Sequence, residues 1–154
     1  MKDADRFNAA LGQILELVVL LNEDMSKSFA RDGLTSARAH LLWELGQRGP
    51  STQRDLAEAL NVSARNITGL VDGLVAGGFV TREPHPKDRR ATHVSFTEHG
   101  QEVAEQMGRD QQEFSRLLFA SMPDKQFDCF VKGMGEVLAR LREAGLTWTH
   151  EEEK

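Results

Sequence analysis

The sequence predicts a mainly α-helical fold carrying one small β-hairpin. Apolar residues recur at three- and four-residue spacing along most of the 154 residues, which is the periodicity of amphipathic helices. Two short runs rich in β-branched residues, 80–83 and 92–96, flank the loop PHPKDRR, which Pro84 and Pro86 hold away from helical geometry. Immediately upstream, two short helical patterns are separated only by a brief polar turn.

The first element is a long helix over residues 4–30. Phe7, Leu11, Ile14, Leu15, Val18, Val19 and Met25 form its apolar stripe, and Leu17, Leu20 and Leu21 widen it. A stripe of that width predicts burial against more than one neighbour. Gly33 closes this section. In LTSARAHLLWELGQRG, Thr35 or Ser36 caps a second helix whose inner side holds Leu41, Leu42 and Leu45, and Gly46, Gly49 and Pro50 break it. A third helix covers 54–60 with Leu56, Ala57 and Leu60 on one face. Asn61 and Val62 make the turn, and Ser63 caps a fourth helix that runs to about Ala76. Ile67, Leu70, Val71 and Leu74 mark its inner face, and Gly77 and Gly78 allow the backbone angles that end it.

After the hairpin, Thr97 caps a fifth helix that starts near Glu98 and carries Val103, Met107, Phe114, Leu117 and Leu118 to about Ala120. Met122, Pro123 and Asp124 form the joint to a sixth helix over 125–144, with Phe127, Phe130, Val131, Met134, Val137, Leu138 and Leu141 inside. Gly145 ends it, Leu146 and Trp148 follow, and 149–154 reads as a flexible solvated tail.

Two helices joined by so short a turn, followed at once by a hairpin with an arginine-rich tip, make a winged helix-turn-helix core over 34–97. Such a core reads double-stranded DNA. The alternative for the hairpin is a solvated loop whose charges only keep it soluble. The flanking regions, 1–33 and 98–148, hold long apolar helices that project from this small core and need a covering surface. A second copy supplies it as a symmetric homodimer, and the two reading helices then lie about 34–36 Å apart, which suits a palindromic site. Packing back within one chain is the alternative.

The net charge of −5 argues mildly against a nucleic-acid partner, but the distribution of charge points the other way. Residues 50–96 carry +1, whereas 97–154 carry −5, and no acid falls between Asn61 and Gly69 at the front of the reading helix. The single cysteine, Cys129, excludes an intrachain disulfide framework. The N-terminus lacks a signal-peptide core, and the apolar run 17–21 is too short to span a membrane, so a cytoplasmic protein without a membrane partner is expected. His40, His85, His93, His99 and His150 form no metal-ligand spacing. There is no phosphate-binding glycine loop and no defensible nucleophile–base pair. No metal, no cofactor and no catalysis are expected.

LTSARAHLLWEL, STQRDLAEALNVSARNITGLVDGLVAGGFVTRE and PHPKDRRATHVSFTEHG, in that order, resemble the MarR family of transcriptional regulators over about residues 7–146. The last segment is the most specific, because it holds the family's D-x-R wing pattern at Asp88 and Arg90 and its T-x-x-G at Thr97 and Gly100. The resemblance implies a triangular homodimer joined through the first, fifth and sixth helices. It also implies repression of nearby genes, relieved by a small molecule bound between the dimerisation helices and the core. Candidate liners of that effector pocket are Val18, Phe29, Arg38, His40 and Trp43, a set suited to a small aromatic acid, although Trp43 is more simply core. Oxidation-sensing members use a cysteine near the N-terminus with tyrosine partners. This chain has no tyrosine, and Cys129 lies between Phe127 and Phe130, so it is expected to fill a core or interface.

On the DNA side, Arg65 and Asn66 are the candidate base readers, since arginine pairs bidentately with guanine and asparagine with adenine. The hydroxyls of Ser63 and Thr68 can reach phosphates or base edges, and Gln53 and Arg54 are placed for phosphates. In the wing, Asp88 is expected to orient Arg90 or another arginine, Arg89 or Arg90 to enter the minor groove, and Lys87 to lie near the tip with Arg89. Gly69 and Gly73 depart from the family, whose members often carry polar or basic side chains there. That departure leaves a second reading, a winged-helix protein–protein assembly module with little specific DNA binding.

Overall fold

In a computed structural model that describes residues 2–146, six helices surround a three-stranded antiparallel sheet. In chain order these are α1 (Lys2–Arg31), α2 (Ser36–Arg48), β1 (Ser51–Thr52), α3 (Gln53–Leu60), α4 (Ala64–Ala76), β2 (Val80–Pro84), β3 (Thr92–Phe96), α5 (Glu98–Phe119) and α6 (Asp124–Glu143). The fold is mainly helical with a small sheet, as the periodicity predicts. Trp148, His150 and the tail 149–154 lie outside the described residues.

Four helices begin on a hydroxyl cap. Thr35 accepts from the Arg38 amide, Thr52 from Asp55, Ser63 from Asn66 and Thr97 from Gly100. Each cap satisfies a free helical N–H and is worth about 1 kcal/mol. Between α3 and α4, Asn61 adopts the left-handed conformation at φ 53°, so the chain reverses within a few residues. The apolar faces then meet as expected. Leu41, Leu42 and Leu45 of α2, Leu56 and Leu60 of α3, and Ile67, Leu70, Val71 and Leu74 of α4 are buried with Phe79, Val80, Val94 and Val103.

β1 is not visible in the sequence, because two residues carry no alternation. Ser51 pairs with Val94 and Thr52 with His93, so β3 is the central strand in the order β1-β3-β2. Gly46 does not break α2, which runs on to Gly49 at φ 78°. Of the glycine pair after α4, only Gly78 takes a positive φ (78°), while Gly77 stays right-handed.

The Thr97–Gly100 motif has a packing cause. The Thr97 hydroxyl donates to the Gly78 carbonyl at 2.5 Å while accepting from the Gly100 amide at 3.0 Å. A Cβ on Gly100 would overlap the Phe79 carbonyl. Together they seat the start of α5 on the turn that follows the reading helix.

The long helices differ from the expectation of an internal apolar face. α6 has no buried residue, and Phe127, Phe130, Val131, Leu138 and Leu141 are all exposed in the single chain. On α1, Phe7 is 72% and Val19 64% exposed, and Leu117 on α5 is 76% exposed. Phe119 stacks on Phe127 and Phe130 with centroids 5.5 and 5.6 Å apart, which joins α5 to α6 but covers neither. Cys129 is exposed and therefore does not fill a core within the chain. No helix among the described residues is long and apolar enough to cross a membrane.

Candidate nucleic-acid interface

The exposed face of α4 and the β2–β3 hairpin are held together by Arg82, a residue that local pattern does not single out. Its Nε donates to Gln53 Oε1 at 2.8 Å, and its terminal nitrogen reaches Asp72 Oδ1 at 2.5 Å and the Thr68 carbonyl at 3.4 Å. Gln53 in turn donates to Thr68 Oγ1 at 3.3 Å, and Thr68 donates to the Ala64 carbonyl at 2.9 Å. One guanidinium thus ties the N-terminus of α3, the middle of α4 and the base of the wing into a single unit. A guanidinium does this from two separate nitrogens, Nε and a terminal one, which the single nitrogen of a lysine cannot reproduce.

Around that unit, the predicted DNA-binding residues fall into two groups. Gln53 and Thr68 are engaged with Arg82 and each other, so they position the face as well as border it. Ser63 spends an acceptor on its cap, and its hydroxyl remains exposed at the tip of α4 beside Arg65 and the half-buried Asn66. Arg54 lies on the exposed side of α3, 3.7 Å from Glu58. Arg65, Lys87, Arg89 and Arg90 are exposed, and none belongs to an ion pair among the described residues.

Asp88 does not pair with an arginine side chain. Its Oδ1 accepts from the Arg90 backbone amide at 3.0 Å, its carbonyl accepts from Ala91, and the His85 amide bonds the Ala91 carbonyl. The carboxylate therefore shapes the tip by an Asx turn, and the neighbouring guanidinium groups stay unpaired. Spacing cannot distinguish an amide partner from a guanidinium two residues away. His85 adds to the tip by accepting from the Lys87 amide and lying edge-on to His93 at 5.1 Å.

The two departures from the family pattern have different surroundings. Nothing stands within 4 Å of where a Gly69 side chain would begin. At Gly73 the Arg38 guanidinium occupies that place.

Of the candidate pocket residues, one borders a cleft in the single chain. A cleft of about 440 Å³ opens between α2, the end of β3 and α5, with Trp43, Phe96, Met107 and Glu105 among its walls. Trp43 lines it, and Val18, Phe29, Arg38 and His40 do not. Val18 is exposed on α1, Phe29 packs on the core, His40 lies 3.7 Å from Glu44, and Arg38 points to α4. Among the described residues the only charged side chain of the cleft is Glu105, so they do not supply the cation that an aromatic acid needs. Among the described residues, no cluster of three His, Cys, Asp or Glu side chains could hold a metal.

Comparison with known proteins agrees with this arrangement. Residues 34–92, the winged core through the start of β3, match the MarR family. The HTH-type transcriptional repressor YetL of Bacillus subtilis is 32% identical over 125 residues, covering 79% of this chain and 74% of that protein. The multiple antibiotic resistance protein MarR of Escherichia coli is 31% identical over 129 residues, covering 76% and 87% respectively. Streptococcus pneumoniae FabT, solved in complex with DNA, shares the fold with a TM-score of 0.76 at 18% identity, over 91% of this chain and 98% of its own. The sequence motifs, the winged core and these similarities together place the chain in the MarR family of transcriptional regulators, which are not enzymes.

Proposed function

We propose that this chain is a cytoplasmic transcriptional repressor that binds a palindromic double-stranded operator as a homodimer. The observation that carries the reading is the contrast across the α4–wing face. Arg82 rigidly fixes its frame, while Arg65, Lys87, Arg89 and Arg90 project from it without carboxylate partners. Unpaired cations on a fixed face are what phosphate and base-edge binding require. Arg65 and Asn66 read bases from α4, Ser63, Gln53 and Arg54 fix register on phosphates, and Arg89 or Arg90 enters the minor groove. Residues 34–97 form the reading unit. The flanks 1–33 and 98–148 form the dimer, supported by the uncovered apolar residues of α1, α5 and α6. A small molecule seated in the α2–α5 cleft releases the operator, and the lining of Trp43, Phe96, Met107 and Glu105 favours a neutral or cationic occupant over an acid.

The test is fluorescence anisotropy with duplex from the region upstream of the protein's own coding sequence and an unrelated duplex of equal length, at two salt concentrations. The expected result is a preference of about 10³-fold or more for the upstream or library-selected duplex, with affinity falling steeply as salt rises. Weak, equal binding to every duplex offered, including those selected from a random library, would reject the reading in favour of an assembly module.

A further inference from the structure

Arg38 sits in the first turn of α2, yet its side chain leaves that helix and lies on α4. Its guanidinium occupies the volume in which a Gly73 side chain would stand, with Nε 2.5 Å from the ideal Cβ position. That Nε is buried and has no hydrogen-bond partner. No acid pairs with Arg38 among the described residues, and the acid next to Gly73, Asp72, is held by Arg82. The result is a half-buried guanidinium pressed against the reading helix with no carboxylate partner among the described residues. A buried N–H without an acceptor is unfavourable, and an anion arriving at this face would bind a guanidinium that has no carboxylate partner to give up.

Gly69 lies one turn before Gly73 on the same face of α4, and space is open where its side chain would begin. The two glycines therefore form a seat and an opening. Gly73 lets the guanidinium lie against the helix, and the surface at Gly69 is open.

We infer that Arg38 is a DNA-backbone contact, its guanidinium delivered from α2 across Gly73 to bind a phosphate on the flank of the reading helix. This rests on the DNA-binding reading above. It assigns a role to a residue outside the helix-turn-helix, and it accounts for the glycine at position 73 as a requirement of that delivery.

A phosphate contact acts on any sequence, so the probe is a mixed-sequence duplex titrated by anisotropy from about 50 to about 200 mM salt. Each lost phosphate contact lowers the salt slope by about 0.9, so the penalty of Arg38→Ala should be about 3.5-fold larger at the low-salt end per bound chain, and about 12-fold for a symmetric pair. Arg38→Lys should keep most of the slope. Gly73→Ala tests the same idea with Arg38 intact, because the added methyl displaces only the flexible end of that side chain. It should leave thermal stability equal or higher while weakening duplex binding. Arg38→Ala combined with Gly73→Arg should restore the slope from the other helix. An Arg38→Ala slope equal to that of the unaltered protein, or undiminished binding by Gly73→Ala, overturns the inference alone. Absence of salt-dependent duplex binding by the unaltered protein overturns the DNA-binding reading and this inference with it.

Discussion

Arg82→Lys separates positioning from charge at the reading face. The lysine keeps a cation beside Asp72 but loses the bonds to Gln53 at 2.8 Å and to the Thr68 carbonyl at 3.4 Å. The first is a well-formed bond and the second is at the weak end, so together they contribute about 1–2 kcal/mol of net stability. The Asp72 partner is 60% exposed, and an exposed pair adds or removes less than about 1 kcal/mol. Urea unfolding should therefore show a loss of about 1–2 kcal/mol with an unchanged m-value. The effect on DNA should be selective. With Gln53 no longer fixed to the wing base and α4 free to shift against the hairpin, a library-selected duplex should lose about tenfold in affinity, or about 1.4 kcal/mol. An unrelated duplex, which depends on charge, should change by less than about twofold. Equal losses on both duplexes, or no loss on the selected one, would refute the idea that Arg82 works by holding geometry.

Three further outcomes follow from the packing. Gly100→Ala places a methyl against the Phe79 carbonyl, a backbone group that cannot step aside, and should cost at least about 2 kcal/mol in thermal or urea unfolding. Asp88→Ala should loosen the wing tip and weaken duplex binding despite removing a negative charge, whereas Asp88→Asn keeps the acceptor for the Arg90 amide and should stay close to the unaltered protein; tighter binding by the alanine variant would show that the turn is irrelevant. Val19 is 64% exposed on α1, so on the homodimer reading Val19→Glu should leave helical content intact and shift the sedimentation mass toward one chain at micromolar concentration.

What is legible in the sequence is what depends on neighbours along the chain. The inner face of α4, the Ser63 and Thr97 caps and the bounds of β3 all follow from periodicity or from a hydroxyl three residues before an amide. The Thr97–Gly100 pattern stands out in the sequence, but its cause, the close approach to Phe79, is visible only in three dimensions. β1 escapes because two residues show no alternation. The partners of Arg82 escape for another reason. Gln53 lies 29 positions away and Asp72 10, and a long flexible side chain has no periodic signature linking it to either. The same holds for Arg38, expected as a pocket cation and found against Gly73, and for Asp88, whose partner is an amide.

The division of burial bears on how the proposed repressor would respond to a ligand. Among the described residues, every buried hydrophobic residue lies between Leu34 and Val103, so the interior that keeps α4 and the wing in register is built from the winged core and the start of α5. Among the described residues, α6 and the later part of α5 add nothing to that interior and α1 adds only the partly buried Phe29, so their other apolar side chains gain only by meeting a second surface. In the proposed dimer the core thus sets what each face reads, and the long helices set how far apart two faces stand. The joint between them is the start of α5, clamped by Thr97 and Gly100 at one end and bordered by the Trp43–Met107 cleft further along. A ligand wedged in that cleft would tilt α5 against a core too well packed to deform. Spacing would change while each reading face stayed intact, so release from a palindrome should far exceed any loss of binding to a single half-site.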